Sequence, residues 1–371
     1  VRNLRATGGA VVILDADTGG IRAMATYPDY DPRWHVSGLT KDQLRYLGNS
    51  NTAPSLNRAT FPYTPGSTFK AITSLIVLHQ GLASRNGYYP CPAKYVHGID
   101  EEHPFYNWEP VERGSISFNE AIWRSCDTFF YSFGSQYFQK YLDNQMSAKE
   151  QPLQRGIRGW GFGAPTGVDL PLESVGVVPD AEYAAAHPEL FEDGRWQPFG
   201  DLLTMIGAGN IQVTPLQLAS AYAAIANGGH LCRPHLVERI EDNDGKLVRE
   251  PGTGCSNRLG YDQGDLSYVR QALANVVAHG TAACAFSGFP LSQVQVGGKT
   301  GTAERGTDRY QDTSWFAALV GPTQDPEYVV VTMVEQGGFG AQTAAPITRR
   351  IIEGIEGIPH GGGCGVVVED Q

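Results

Sequence analysis

The sequence contains no apolar run near the roughly 18 residues that a membrane-crossing helix needs. Nothing within it is therefore expected to span a bilayer, and no leader-like segment opens it. Positive charge is scarce. Lys and Arg number 28 against 39 Asp and Glu, a formal net charge of -11, which leaves no basic stripe for nucleic acid. Cysteine is sparse and scattered: Cys91, Cys126, Cys232, Cys255, Cys284 and Cys364 include no Cys-x-x-Cys and no finger or ribbon spacing. Buried thiols and disulfides both remain open, and spacing does not give a pairing. The chain opens on Val1 rather than Met and enters a strand-like run almost at once. It is expected to lack its natural N-terminus.

What is present describes a folded protein of 371 residues, 41% hydrophobic and 18% charged. That is long for one compact unit, and two lobes around a shared cleft are expected. The chain is organised around Ser67, in Thr64-Pro65-Gly66-Ser67-Thr68-Phe69-Lys70 ahead of the apolar run 71–78. Pro65 and Gly66 break the chain, so Ser67 is expected in the first turn of a buried helix that stops near Gly81. Lys70 lies three residues on and shares its face. A buried lysine with a depressed pKa can take the proton that keeps a serine hydroxyl from being a nucleophile.

Strand signals sit at both ends of the chain. Residues 9–14 and 21–27 flank a turn of Asp, Thr and Gly and read as a hairpin. Residues 294–304, 314–320 and 328–335 read as an antiparallel meander, and 346–355 as a closing helix. Between them, 117–133 reads as a helix with a Ser-x-x-Glu start. Its Ser125-Cys126-Asp127 is a polar interruption that also fits a kink or local helix end. Thr214-Pro215 caps a further helix to Gly228, and 266–278 is another. Residues 81–115 are irregular, and there Cys91, His97, Asp100 and His103 lie close together. They are weak candidates for a zinc site, since their spacing matches no closed pattern. The arrangement is α+β: an antiparallel sheet from both chain ends, covered by helices, with a mainly helical lobe forming the other wall of the cleft. The sheet lobe is expected over about 1–60 plus 285–358, the helical lobe over 61–284, and a flexible tail over 359–371.

Three elements then stand in order: Ser67-x-x-Lys70, Ser125-x-Asp127 and Lys299-Thr300-Gly301. The first supplies nucleophile and base. The second supplies a hydroxyl and a polar group able to relay a proton or hold Lys70. The third puts a cation and a hydroxyl on a strand, where Lys299 can attract a carboxylate and depress the pKa of Lys70. Gly301 leaves room for a substrate lying along the strand. Backbone N–H groups of Ser67 and Thr302 can form an oxyanion hole.

This trio is the signature of penicillin-binding proteins and related β-lactamases. Residues 9–32, 63–70, 89–92, 160–171, 206–229, 280–283 and 297–304 all resemble the transpeptidase domain of class B penicillin-binding proteins, in family order. Ser-Cys-Asp, where many relatives have Ser-x-Asn, is similar to the elongation branch, penicillin-binding protein 2. The resemblance implies Ser67, Lys70, Ser125, Asp127 and Lys299 as catalytic residues and Thr300, Gly301 and Thr302 as substrate-binding ones. It implies two-step acyl transfer on peptidoglycan stem peptides ending in D-Ala-D-Ala, acylation by β-lactams, and no cofactor. It also implies partnership with a membrane glycosyltransferase and morphogenesis proteins. Its place would be the extracytoplasmic face of the bacterial membrane, held by an N-terminal helix absent here. A β-lactamase, a D,D-carboxypeptidase and a non-enzymatic sensor or scaffold are the competing readings. Glu173, the carboxylate nearest to a lactamase role, falls in a family-typical segment and reads as structural.

Overall fold

The computed structural model describes residues 6–98, 103–250, 255, 257–304 and 312–364. Five strands form the central sheet: β1 (Gly8–Asp15), β2 (Ile21–Tyr27), β3 (Val296–Ala303), β4 (Thr313–Val320) and β5 (Tyr328–Glu335). Their order is β3-β4-β5-β1-β2, antiparallel throughout. The meander and the hairpin meet where Gly8 pairs with Glu335 and Asp15 with Tyr328. Asp15 makes the hairpin turn, its Oδ1 accepting from the Thr18 backbone N–H at 3.0 Å and hydroxyl at 2.9 Å. β4 is buried along its whole length, as a strand covered on both faces should be.

The helices that position the site are α1 (Lys70–His79), α2 (Phe118–Arg124), α3 (Asp127–Asp143), α4 (Pro215–Ala226), α5 (Gln263–Ala278) and α6 (Ala344–Glu356). α4 starts as expected, with Thr214 and Gln217 in a capping box and Pro215 in the first turn. It is buried on every side, because it lies between the sheet and the helical part. One continuous apolar core joins β1, β4 and β5 to α1 through α5. α6 covers the other face, packing on β4 and β5. Among the described residues no helix is long and apolar enough to cross a membrane.

Two expectations change. The helix expected over 117–133 is two helices, broken at Ser125, whose backbone is left-handed (φ 60, ψ 39). The Ser125 N–H closes α2 on Ile122 O at 3.1 Å, and Asp127 restarts the chain at the positive end of α3. The tail expected to be flexible from 359 is tied down as far as Cys364. Cys364 is disulfide-bonded to Cys284 and its N–H donates to Cys284 O at 2.9 Å, while Arg349 holds Gly361 O. Residues 365–371 lie outside the described residues.

Candidate active site

Ser67 lies in the helical turn that leads straight into α1, close to where the sequence placed it. Gly66–Phe69 form a single 3-10 turn, and α1 begins only at Lys70, whose N–H donates to Ser67 O. The turn is pinned on three sides. The Trp315 indole N–H donates to Thr64 O at 3.0 Å, Gly66 N–H to Gly207 O at 2.9 Å, and the Tyr222 hydroxyl to Thr68 O at 2.7 Å. Gly66 has φ +57, and a Cβ there would come within 2.6 Å of Thr302 O. Only glycine lets this turn lie so close to β3.

β3 is an edge strand, and its alternation sends Lys299 and Gly301 to one face and Thr300 and Thr302 to the other. The bare face of Gly301 is taken by the Ser67 turn: a Cβ there would sit 2.7 Å from Pro65 O and 2.9 Å from Thr68 Cγ2. The glycine therefore makes room for the turn, where a bound substrate had been expected. The Thr300 hydroxyl lies 2.6 Å from that of Thr281, and the Thr302 hydroxyl accepts from Gly340 N–H at 3.2 Å.

The charged centre is buried. Lys70 and Lys299 are both 0% exposed. Lys70 Nζ donates to Asp127 Oδ1 at 2.5 Å, Ser125 O at 2.9 Å and Ser125 Oγ at 3.1 Å. Three acceptors match the three donors of an ammonium. Lys299 Nζ donates to the same Ser125 Oγ at 2.9 Å and to Thr300 O at 3.2 Å. One hydroxyl thus stands between two amines. The left-handed backbone at Ser125 puts it there.

Burial pulls the Lys70 pKa below the usual lysine range, and the Asp127 carboxylate opposes that pull. Burial holds Lys299 well below the lysine range, and the like charge of Lys70 pushes it down further. Asp127 is bonded directly to Lys70 and not to Lys299.

The weak metal candidates do not assemble. Cys91 is disulfide-bonded to Cys126, so its sulfur is spent. His97 Nδ1 shares a 2.8 Å hydrogen bond with Ser135 Oγ. Asp100 lies outside the described residues, and among those described no group of three or more His, Cys, Asp or Glu is placed to hold a metal, His103 included. Glu173 accepts from the backbone N–H of Thr166 at 2.8 Å and of Gly167 at 3.2 Å, which makes it a turn holder. Sequence reasoning missed Asn107 and Trp108. The Trp108 N–H donates to Asp127 Oδ2 at 3.0 Å, and Asn107 Oδ1 accepts from Asp127 N–H at 3.0 Å. They lie in an irregular stretch with no period or motif to single them out.

A family model described as the penicillin binding protein transpeptidase domain matches residues 9–353. The chain belongs to that family. It is 31% identical over 356 residues to the peptidoglycan D,D-transpeptidase MrdA of Acinetobacter baumannii, covering 91% of this chain and 50% of that protein. Among solved structures, it is similar to penicillin-binding protein 2 (PBP2) of Helicobacter pylori in complex with MreC. That match has a TM-score of 0.75 and 28% identity, over 94% of this chain and 60% of that one. It is also similar to penicillin-binding protein A of Mycobacterium tuberculosis, solved as a ceftriaxone acyl-enzyme, with a TM-score of 0.74 and 26% identity over 93% and 73%. This transpeptidase-family chain spans about half the length of the first curated relatives it matches.

Proposed function

We propose that this domain is the cross-linking unit of a peptidoglycan synthase, a serine D,D-transpeptidase of the PBP2 type. The observation that carries the reading is Ser125 Oγ held between Lys70 Nζ and Lys299 Nζ, beside a Ser67 turn packed on Thr302. Ser67 Oγ attacks the carbonyl of the penultimate D-alanine, and Lys70 in its neutral form takes the hydroxyl proton. The N–H groups of Ser67 and Thr302 receive the oxyanion. The proton passes from Lys70 through Ser125 to the departing D-alanine nitrogen. The amine of a second stem then attacks the ester, losing its proton back along the same route, and the new peptide bond releases Ser67.

Lys299 binds the terminal carboxylate, whose negative charge favours the ammonium form of that amine. The donor stem lies along the open edge of β3, where Thr300, Gly301 and Thr302 offer backbone groups. A β-lactam enters as a mimic of D-Ala-D-Ala and stays as an acyl-serine. No cofactor is required by these steps. That reading puts the domain on the extracytoplasmic face of the membrane, anchored through sequence outside this chain, where its three disulfides form and persist. Its partners are then a glycan-polymerising glycosyltransferase and morphogenesis proteins of the MreC kind.

Intact-mass spectrometry after incubation with a penicillin tests the reading. A persistent adduct of one drug mass is expected. Consumed drug with no adduct would make the domain a lactamase, and D-alanine release to water without an acceptor would make it a carboxypeptidase.

Asp127 is expected to govern the pH at which acylation switches on. It raises the Lys70 pKa, and the base works only when unprotonated. Asp127→Asn should therefore move the acid limb of the acylation profile to lower pH, measured with a chromogenic β-lactam. A limb that stays in place would remove Asp127 from the titration of the base.

A further inference from the structure

The break that carries Ser125 is stapled from outside. Asn107 is buried, and its N–H is fixed on Ala93 O at 3.0 Å. Its side chain accepts from Asp127 N–H and lies 3.7 Å from Cys91 Sγ and 3.8 Å from Cys126 Sγ. The next residue reaches both sides of the break. Trp108 N–H donates to Asp127 Oδ2 at 3.0 Å, at the start of α3, and its indole N–H to Arg124 O at 3.0 Å, the last residue of α2. The Cys91–Cys126 disulfide runs through the central residue of Ser125-Cys126-Asp127 itself. Thr128 ties the following residue to the same segment by donating to Pro92 O at 2.7 Å.

A non-glycine residue with φ near 60 is strained and persists only where its surroundings over-determine it. The staple supplies that. We propose that Asn107, Trp108 and the Cys91–Cys126 disulfide are positioning groups for acylation: they fix the helix break so that Ser125 Oγ and Asp127 Oδ1 stay on Lys70 Nζ. The proposal rests on the acyl-transfer reading above and adds to it what aligns the base. Among the described residues none of the three hydrogen-bonds to Lys70. They act through the two residues that do.

The tests are Asn107→Ala and, separately, Cys91→Ser with Cys126→Ser. Cys232→Ser with Cys255→Ser is the control: it removes a disulfide that sits against Gly19 at the β1–β2 turn. Acylation by a chromogenic β-lactam is followed against pH, with the unfolding temperature measured in parallel. The charged groups facing Lys70 are Asp127 from α3 and Lys299 from β3, and neither is altered. Both test proteins should lose about 10- to 100-fold in acylation rate, the effect of a misplaced reacting group. Their acid limb should move to lower pH as Asp127 leaves Lys70. The control should lose thermal stability and keep both rate and limb. Test variants that unfold earlier but keep the parent rate and limb would reduce the staple to a structural prop. So would a control that loses as much rate as they do. The titration of Lys70, read by NMR on lysine-labelled protein without substrate, reports the same contact. It should fall in Asn107→Ala, and an unmoved titration overturns the proposal. A parent that takes no adduct overturns the acylation reading and leaves that titration to judge the staple.

Discussion

Ser67→Ala should lose the penicillin adduct altogether while unfolding at the temperature of the parent protein. The two halves of that result have separate causes. Ser67 is the hydroxyl presented beside the edge strand, on a turn pinned by Trp315, Gly207 and Tyr222 through its neighbours' backbone. Removing the nucleophile removes the first covalent step, a loss on the order of 10⁶-fold where such groups have been deleted from serine enzymes. Among the described residues the Ser67 hydroxyl makes no hydrogen bond, so nothing is left unpaired by its truncation. Stability should move by no more than about 0.5 kcal/mol. Intact mass and a thermal melt on the same sample check both halves. An adduct that survives would mean a different nucleophile. A large fall in melting temperature would mean that the hydroxyl supports the turn.

Lys70→Met should do the reverse, harming chemistry and fold together. The thioether fills much of the lysine stem's space but cannot take a proton, so acylation should fall by about 10²- to 10⁴-fold. Asp127 keeps the Trp108 N–H and loses the ammonium 2.5 Å away, while remaining 9% exposed. Breaking a buried pair from one side costs about 3–5 kcal/mol, because the remaining charge is left without its partner. The double variant Lys70→Met with Asp127→Asn separates the two effects. It should regain most of the stability and none of the acylation, measured by denaturant unfolding and by adduct formation. Acylation near the parent rate in Lys70→Met would place the base elsewhere. No recovery in the double variant would trace the stability loss to packing around Lys70 instead of the stranded charge.

The parts of the site that sequence made legible are those set by local chemistry. Pro65 and Gly66 announce a break, Thr214 and Pro215 announce a helix start, and the short apolar runs 314–320 and 328–335, separated by a turn at 321–327, announce buried strands. Ser67, Lys70 and Lys299 sit at such punctuated places, and the family resemblance singles them out. What was not legible depends on contacts between distant segments. Helical periodicity carried through Ser125 because Ile122, Cys126 and Phe129 keep their spacing across the break. The left-handed residue shows only once Asn107 and Trp108 are seen closing over it. The disulfide pairing was equally hidden: Cys91 was grouped as a metal candidate with its sequence neighbours His97, Asp100 and His103, while its partner lies 35 residues away. Gly301 was correctly marked as needing no side chain, but for the sake of the Ser67 turn.

The sheet has a consequence for how the protein comes into being. Its central pairing joins Gly8 to Glu335, so β1 must wait for a partner strand from the far end of the same domain. At synthesis rates of about 5–20 residues per second, that wait is roughly 15 to 65 seconds. During it, the β1–β2 hairpin has its pairing edge and the apolar faces of Val12 and Leu14 uncovered. Contacts of such long range also slow the final closure, since loop entropy is lost before the pairing rewards it. The exposed β1–β2 hairpin is therefore a point where folding of this domain competes with aggregation.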